Sequence, residues 1–321
     1  MNFIKAKLTH KSFNNQTIIT FEFFYMNTKI KIYKCDGCLM IELCGRKKLK
    51  WLLEIFLKVY DLLFLMLGAY PYRKSILYNE MEIDTGNWAL RYTTASHFHE
   101  SEAVFCDISP ENINSNSLVK MENIHKQSLS SLTYIVSEYY EHVVTNHKIE
   151  LMTHTIDGFF IHSVYYKQLF KIKKQFNPNS KDTTYYDNVE RVFKLFFYYH
   201  RKYNCEILGE LGITRKIFYT IITDTRNDFS HLLGKKKYRL ISGKDMVYYI
   251  DLIFVAERIF LLEEMLNLRL NEIIVQEYLY IIHDWVDELV NKRADRIKSK
   301  RYKKIQDVNL FNEKLESNYV E

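Results

Sequence analysis

Nine glycines and three prolines among 321 residues leave this backbone few places to turn sharply or to stop a helix. Glycine supplies the positive-φ conformations of caps and tight turns, and proline removes a donor and ends helices. A chain short of both is therefore expected to run in long elements. Lys, Ile, Leu, Tyr and Phe are plentiful, and a hydrophobic content of 47% is enough to bury real cores. The length suits about two domains. Helices are expected to dominate, above all in the second half.

The formal charge of +6, from 45 Lys and Arg against 39 Asp and Glu, is compatible with a polyanionic partner without demanding one. Cys35, Cys38, Cys44, Cys106 and Cys205 make an odd set, and no basic segment followed by an apolar core opens the sequence, so a cytoplasmic location is expected. The most apolar stretch, Leu49 to Tyr70, is interrupted by Lys50, Glu54, Lys58 and Asp61. It reads as a buried amphipathic helix rather than a membrane span.

Residues 16 to 34 alternate in part, with a break at Met26-Asn27-Thr28, and predict two strands and a turn; Cys38 to Leu43 predicts a third. Asp36-Gly37 between them is a hairpin signal. A helix from about Lys48 to Leu67 follows, with Trp51, Ile55, Val59, Leu62, Leu63 and Met66 at helical spacing, and Gly68 and Pro71 end it. Ile76 to Ile83 and Trp88 to Thr94 predict two further strands, and Asp107 to Ser117 a loop. The fold class expected is an α+β N-terminal domain over 1–117, a small antiparallel sheet with a covering helix. An all-α helical-bundle domain over 118–304 and a tail over 305–321 follow. Helices are predicted at about 119–144, 148–175, 186–201, 206–211, 213–232, 243–267 and 270–297.

Within the helix that begins near Ile213, the polar segment Arg226-Asn227-Asp228-Phe229-Ser230-His231 interrupts an apolar run. Asn227 and His231 share a helix face, whereas Arg226 and His231 lie about 140° apart around an ideal helix. One regular helix does not make that pair converge. A local distortion does, and so does a two-fold axis that brings two copies of the helix together.

Arg226, four intervening residues and His231, with Asn227 after the arginine, resemble the Arg-x4–6-His signature of the HEPN superfamily. The arrangement also resembles ApeA-like abortive-infection proteins, in which a strand-rich domain precedes such a module, and Leu49 to Pro71 is similar to part of that domain. The resemblance implies a homodimer, built through the HEPN domain, that cleaves RNA (tRNA among the possible substrates) without metal or cofactor. The products would be a cyclic phosphate and a free 5′-hydroxyl. It also implies a defence role and a phage-derived trigger sensed by the N-terminal domain. The chemistry agrees: histidine titrates near neutrality and suits proton transfer, and arginine presents a permanent planar fork to phosphate. Asn227 suits contact with the phosphate or the imidazole, and Asp224 and Asp228 are supporting candidates for orienting Arg226. Other members of the superfamily bind nucleotides, RNA or partners without cutting, which is the alternative reading; a purely structural helical scaffold is another.

Lys235, Lys236, Lys237 and Arg239 follow His231 closely and are candidate RNA contacts. The basic run Lys292, Arg293, Arg296, Lys298, Lys300, Arg301, Lys303 and Lys304 suits an RNA backbone and a solvated helix end equally. Cys35-Asp36-Gly37-Cys38 has the spacing of half a zinc site, with Cys44, His97 and His99 as improvised completions, but reads as a hairpin with free thiols. Phe196-Phe197-Tyr198-Tyr199 reads as core rather than a base-stacking platform.

Overall fold

Three two-residue turns join strands of the N-terminal half, each with positive φ at both central residues: Met26 and Asn27 (47° and 60°), Asp36 and Gly37 (50° and 70°), and Asn79 and Glu80 (47° and 72°). These angles belong to the hairpin turns whose twist matches that of the strands they join. Asn, Asp and Gly accept the left-handed region readily, whereas Met26 and Glu80 pay about 1 kcal/mol for it. The computed structural model describes residues 1–83, 104–124, 129, 132, 145–161, 184–203, 208, 213–231 and 245–284.

The strands are β1 (Asn2–Thr9), β2 (Phe21–Tyr25), β3 (Thr28–Cys35), β4 (Cys38–Gly45), β5 (Tyr72–Tyr78) and β6 (Met81–Glu82). They form one antiparallel sheet in the order β2-β3-β4-β1-β5-β6. The predicted strands at 16–34 and Cys38–Leu43 are β2, β3 and β4. The single strand predicted at Ile76–Ile83 is instead broken by the Asn79-Glu80 turn into the end of β5 and β6, because both turn residues take positive φ, and Trp88–Thr94 lies outside the described residues. A sheet beginning at residue 16 omits β1, the strand that joins β4 to β5 through pairs such as Ile4↔Leu43 and Ala6↔Ile76. Ile4, Ala6 and Leu8 are fully buried and alternate with Lys5 and Lys7.

The helices are α1 (Ser12–Asn15), α2 (Leu49–Leu67), α3 (Ser115–Met121), α4 (Thr145–Ile161), α5 (Tyr185–Lys202), α6 (Arg215–His231) and α7 (Asp245–Ile259), with a further helix, α8, over 272–284. The architecture is thus helix-dominated with an α+β N-terminal part. Position 117/118, where the two domains are expected to divide, falls within α3. The predicted helices at 148–175, 186–201, 213–232, 243–267 and 270–297 correspond to α4 to α8 where these are described, while most of 119–144 lies outside the described residues. No described helix is long and apolar enough to cross a membrane.

Gly68 ends α2 in the left-handed conformation (φ 79°), its N–H donating to the Phe64 carbonyl at 2.8 Å, as a helix C-cap requires. Trp51, expected on the buried face, is 53% exposed and lies beside Lys47. The other end of α2 is different, because every residue from Leu62 to Leu67 is buried. A helix that is apolar on all sides needs cover on all sides, and α2 receives it from the sheet and from the helical half together. Phe64 meets Phe254 of α7 with ring centroids 6.4 Å apart, and one apolar cluster runs from Ile4 to Ile282. At Ile259, α7 widens into a π-helical turn (Phe260–Met265), in which the Leu266 N–H reaches the Leu261 carbonyl at 2.9 Å.

Candidate functional site

Four helices of the second half each bring polar side chains to one place in an otherwise apolar bundle. Asp157 comes from α4, Tyr185 and Asn188 from α5, Arg226 and Asn227 from α6, and Glu257 from α7. Burying polar groups without partners costs roughly 1–3 kcal/mol each, so such a convergence is either mutually satisfied or reserved for something else.

Arg226 is the hub. Its Nη2 lies 2.8 Å from Asp157 Oδ2, and its Nη1 donates to Asn227 Oδ1 at 3.2 Å. Its guanidinium lies over the Tyr185 ring, 5.1 Å from the centroid. Asn188 Nδ2 donates to the second Asp157 oxygen at 3.3 Å, and the Tyr185 hydroxyl donates to the Thr153 carbonyl at 2.8 Å. The side chains of Arg226 and Asp157 are 22% and 15% exposed, so the pair sits at the rim of the bundle. A guanidinium has five N–H donors, and each terminal nitrogen keeps one hydrogen beyond those used here.

Glu257 is fully buried, and neither of its oxygens has a hydrogen-bond partner among the described residues. Burial holds its carboxyl well above the ordinary carboxylate range. Burial also pushes the Tyr185 phenol well up, with Asp157 and Glu257 adding to the effect and Arg226 opposing it. Asn188 Oδ1 and Arg226 Nε are likewise buried without hydrogen-bond partners among the described residues. The cluster is therefore only partly satisfied.

Of the residues singled out by sequence, Arg226 and Asn227 are in this cluster, and Asn227 accepts from Arg226. Neither Asp224 nor Asp228 is the acid that pairs with Arg226; that acid is Asp157, 69 positions away along the chain. The backbone of His231 closes α6, while its side chain, together with Lys235, Lys236, Lys237, Arg239 and the basic run Lys292 to Lys304, lies outside the described part. Sequence reasoning missed Asp157, Tyr185, Asn188 and Glu257. The legible signal was an acid inside an apolar run: Asp157 before Gly158-Phe159-Phe160, and Glu257 within Leu252 to Leu262.

Cys35 and Cys38 pair across the β3–β4 turn as free thiols, Cys35 exposed and Cys38 buried. His97, His99 and Cys205 lie outside the described residues, among which no cluster of three or more His, Cys, Asp or Glu side chains suits a metal. Phe196, Phe197 and Tyr199 are core residues, whereas Tyr198 is 58% exposed. The chain matches no family model, and no curated protein or solved structure is significantly similar to it.

Proposed function

We propose that the chain is a HEPN-type endoribonuclease whose active site forms where two copies of α6 meet, and that it cuts RNA without a metal or cofactor. The observation that carries this reading is Arg226: a permanently charged guanidinium at the rim of the bundle, oriented by Asp157 and the Tyr185 ring, and five residues before His231 on the same helix.

In this reading His231 takes the proton from a ribose 2′-hydroxyl, and the 2′-oxygen attacks the adjacent phosphorus. The bond to the 5′-oxygen breaks, and that oxygen leaves with a proton from the histidine of the second copy, giving a cyclic phosphate and a 5′-hydroxyl. Arg226 donates its outward hydrogens to the phosphoryl oxygens as negative charge builds on them. Pre-orientation by Asp157 spares the arginine a search among rotamers at the moment of reaction. A strand-rich N-terminal half packed on the helical half suits a restrained enzyme, released when the N-terminal half meets a trigger in antiphage defence.

A second reading is favoured by the engagement of Arg226 with both Asp157 and Asn227. An arginine used structurally fits a HEPN module that binds a nucleotide, RNA or a partner without chemistry. RNA cleavage in EDTA by the native chain, Arg226→Ala and His231→Ala, with folding and dimerisation checked by circular dichroism and light scattering, separates the two. Metal-free cleavage lost in both variants is expected; cleavage retained in both sinks the ribonuclease assignment.

A further inference from the structure

The register of the sheet gathers several segments at one of its ends. Thr28 pairs with Gly45 and Gly45 with Asn2, so the β2–β3 turn, the end of β4 and the start of β1 lie side by side. The Asn79 side chain accepts from the Phe3 N–H at 2.9 Å, which brings the β5–β6 turn to the same end. Arg46, Lys47, Lys48 and Lys50 follow Gly45 directly and lead into α2.

None of these four cations forms an ion pair among the described residues, whereas Lys5, Lys29 and Lys58 are paired with Glu42, Glu22 and Glu122. Glu54 on α2 and Glu80 in the β5–β6 turn are the unpaired acids at this end, and neither lies within ion-pair distance of the run. The start of α2 adds to the positive charge. Lys48 is its N-cap residue, no side chain accepts from its first N–H groups, and its first turn holds no acid. The positive end of the helix dipole therefore sits among like charges, an arrangement that works against the stability of the helix.

The same end exposes apolar side chains: Phe24 near the β2–β3 turn, Met26 within it, Trp51 in the first turn of α2, and Met81 just after the β5–β6 turn. The Lys47 ammonium lies over the Trp51 ring, 5.6 Å from its centroid. Met26 carries two costs at once. It takes the left-handed conformation, φ 47°, which asparagine adopts more readily, and it leaves an apolar side chain exposed. The fold alone does not call for methionine there, and exposed apolar groups rimmed by charge mark contact surfaces.

Unpaired cations attract any polyanion, and the apolar side chains choose among polyanions. A nucleic acid would stack bases on Phe24 and Trp51, but Met26 and Met81 offer no ring to a base. An anionic bilayer takes both sets. Its headgroups neutralise the cations, tryptophan settles at the interface, and methionine and phenylalanine enter the acyl boundary. We propose that this end of the sheet docks on an anionic lipid bilayer, with Arg46, Lys47, Lys48 and Lys50 on the headgroups and the β2–β3 turn inserted between them. The contact is peripheral and needs no spanning helix. It goes beyond the ribonuclease reading and does not rest on it.

Flotation of the full chain with vesicles of phosphatidylcholine, and with vesicles that also contain phosphatidylglycerol, tests the docking. Binding to the anionic vesicles alone, weakened by added salt, is expected. Two variants separate docking from folding. Lys48→Asp supplies the missing N-cap acceptor and Met26→Asn eases the turn, so each is expected to melt no lower than the native chain. Each is nevertheless expected to weaken vesicle binding about fivefold or more, one by removing charge from the headgroup contact and the other by removing the inserted side chain. A native chain that stays off the anionic vesicles overturns the docking, and so does a folded variant of either kind that binds them as well as the native chain. A labelled oligouridine is titrated in parallel. Binding of the oligomer that Lys48→Asp weakens, with no vesicle binding, overturns the bilayer and assigns the basic run to RNA.

Discussion

Glu257 and Arg258 are consecutive on α7, both without exposed surface, yet they face different neighbours. Successive helical residues point about 100° apart. The Glu257 carboxyl acts on Tyr185 in the polar cluster of the bundle, while Arg258 reaches the C-terminal end of α2. A single helix thus carries one buried acid for the candidate site and one buried base for the junction with the N-terminal half.

Glu257 makes the stability of the chain depend on pH. Its folded carboxyl is held above its ordinary value of 4.5 by burial, so the folded state keeps a proton that the unfolded state releases. The resulting stability is fully present below about pH 4.5 and is lost as pH rises, at up to about 1.4 kcal/mol per unit, until the folded carboxyl itself ionises. Glu257→Gln removes that loss. Urea denaturation across a pH series should find the variant close to the native chain at the acid end and more stable at neutral pH. A difference between the two that does not vary with pH counts against the assignment.

Arg258 caps α2 from another part of the chain. Its Nε and Nη2 lie 3.0 and 2.8 Å from the Leu65 carbonyl, and Nη2 lies 3.2 Å from that of Met66, so the guanidinium meets the negative end of the helix dipole. Burial lowers its pKa to about 10, leaving it charged at neutral pH. Arg258→Ala leaves those carbonyls short of donors and opens a cavity, with an expected loss of about 3 kcal/mol or more. Hydrogen exchange should show the Phe105 amide, bonded to the Met66 carbonyl, losing protection first. Unchanged protection there would mean that the junction does not depend on Arg258.

How much of this was legible in the sequence depends on the range of the interaction. The Asp36-Gly37 turn, the α2 cap at Gly68 and the long helices follow from local backbone preference, and the sequence predicts them. Strand β1 was readable from the alternation of Ile4, Ala6 and Leu8 with lysines, but its mixture of Ala and Lys is a weak strand signal. The pairing of Arg226 with Asp157 was not readable, because nearby Asp224 and Asp228 offer the same chemistry. Only the packing of α4 against α6 decides between them. The same holds for Arg258, whose partners are backbone carbonyls that carry no sequence signature.

The cysteines report on burial independently. Cys35 is exposed, with its thiol raised somewhat by a hydrogen bond to Asp36, whereas burial pushes the fully enclosed Cys106 thiol far up. Only the thiolate reacts appreciably with disulfide reagents. Mass-resolved labelling of the native chain should modify Cys35 early and Cys106 only on unfolding. Early labelling of Cys106 would mean that the 104–109 strap opens readily.

The pair of Asp157 and Arg226 is the sharpest test of the candidate site, because it separates orientation from mere presence of charge. Asp157→Asn keeps the volume and one acceptor but removes the charge that holds the Arg226 Nη2 at 2.8 Å. Breaking a mostly buried ion pair this way is expected to cost about 2–3 kcal/mol. A double-mutant cycle with Arg226→Ala should return a coupling energy of about 1 kcal/mol or more. If Arg226 acts on phosphate, Asp157→Asn should also lower the cleavage rate at saturating RNA by about tenfold or more, since a misaimed guanidinium serves the transition state poorly. RNA affinity should fall much less. A coupling energy near zero would make Asp157 a bystander. A large coupling with cleavage intact would make the pair a strut of the bundle and place the chemistry elsewhere.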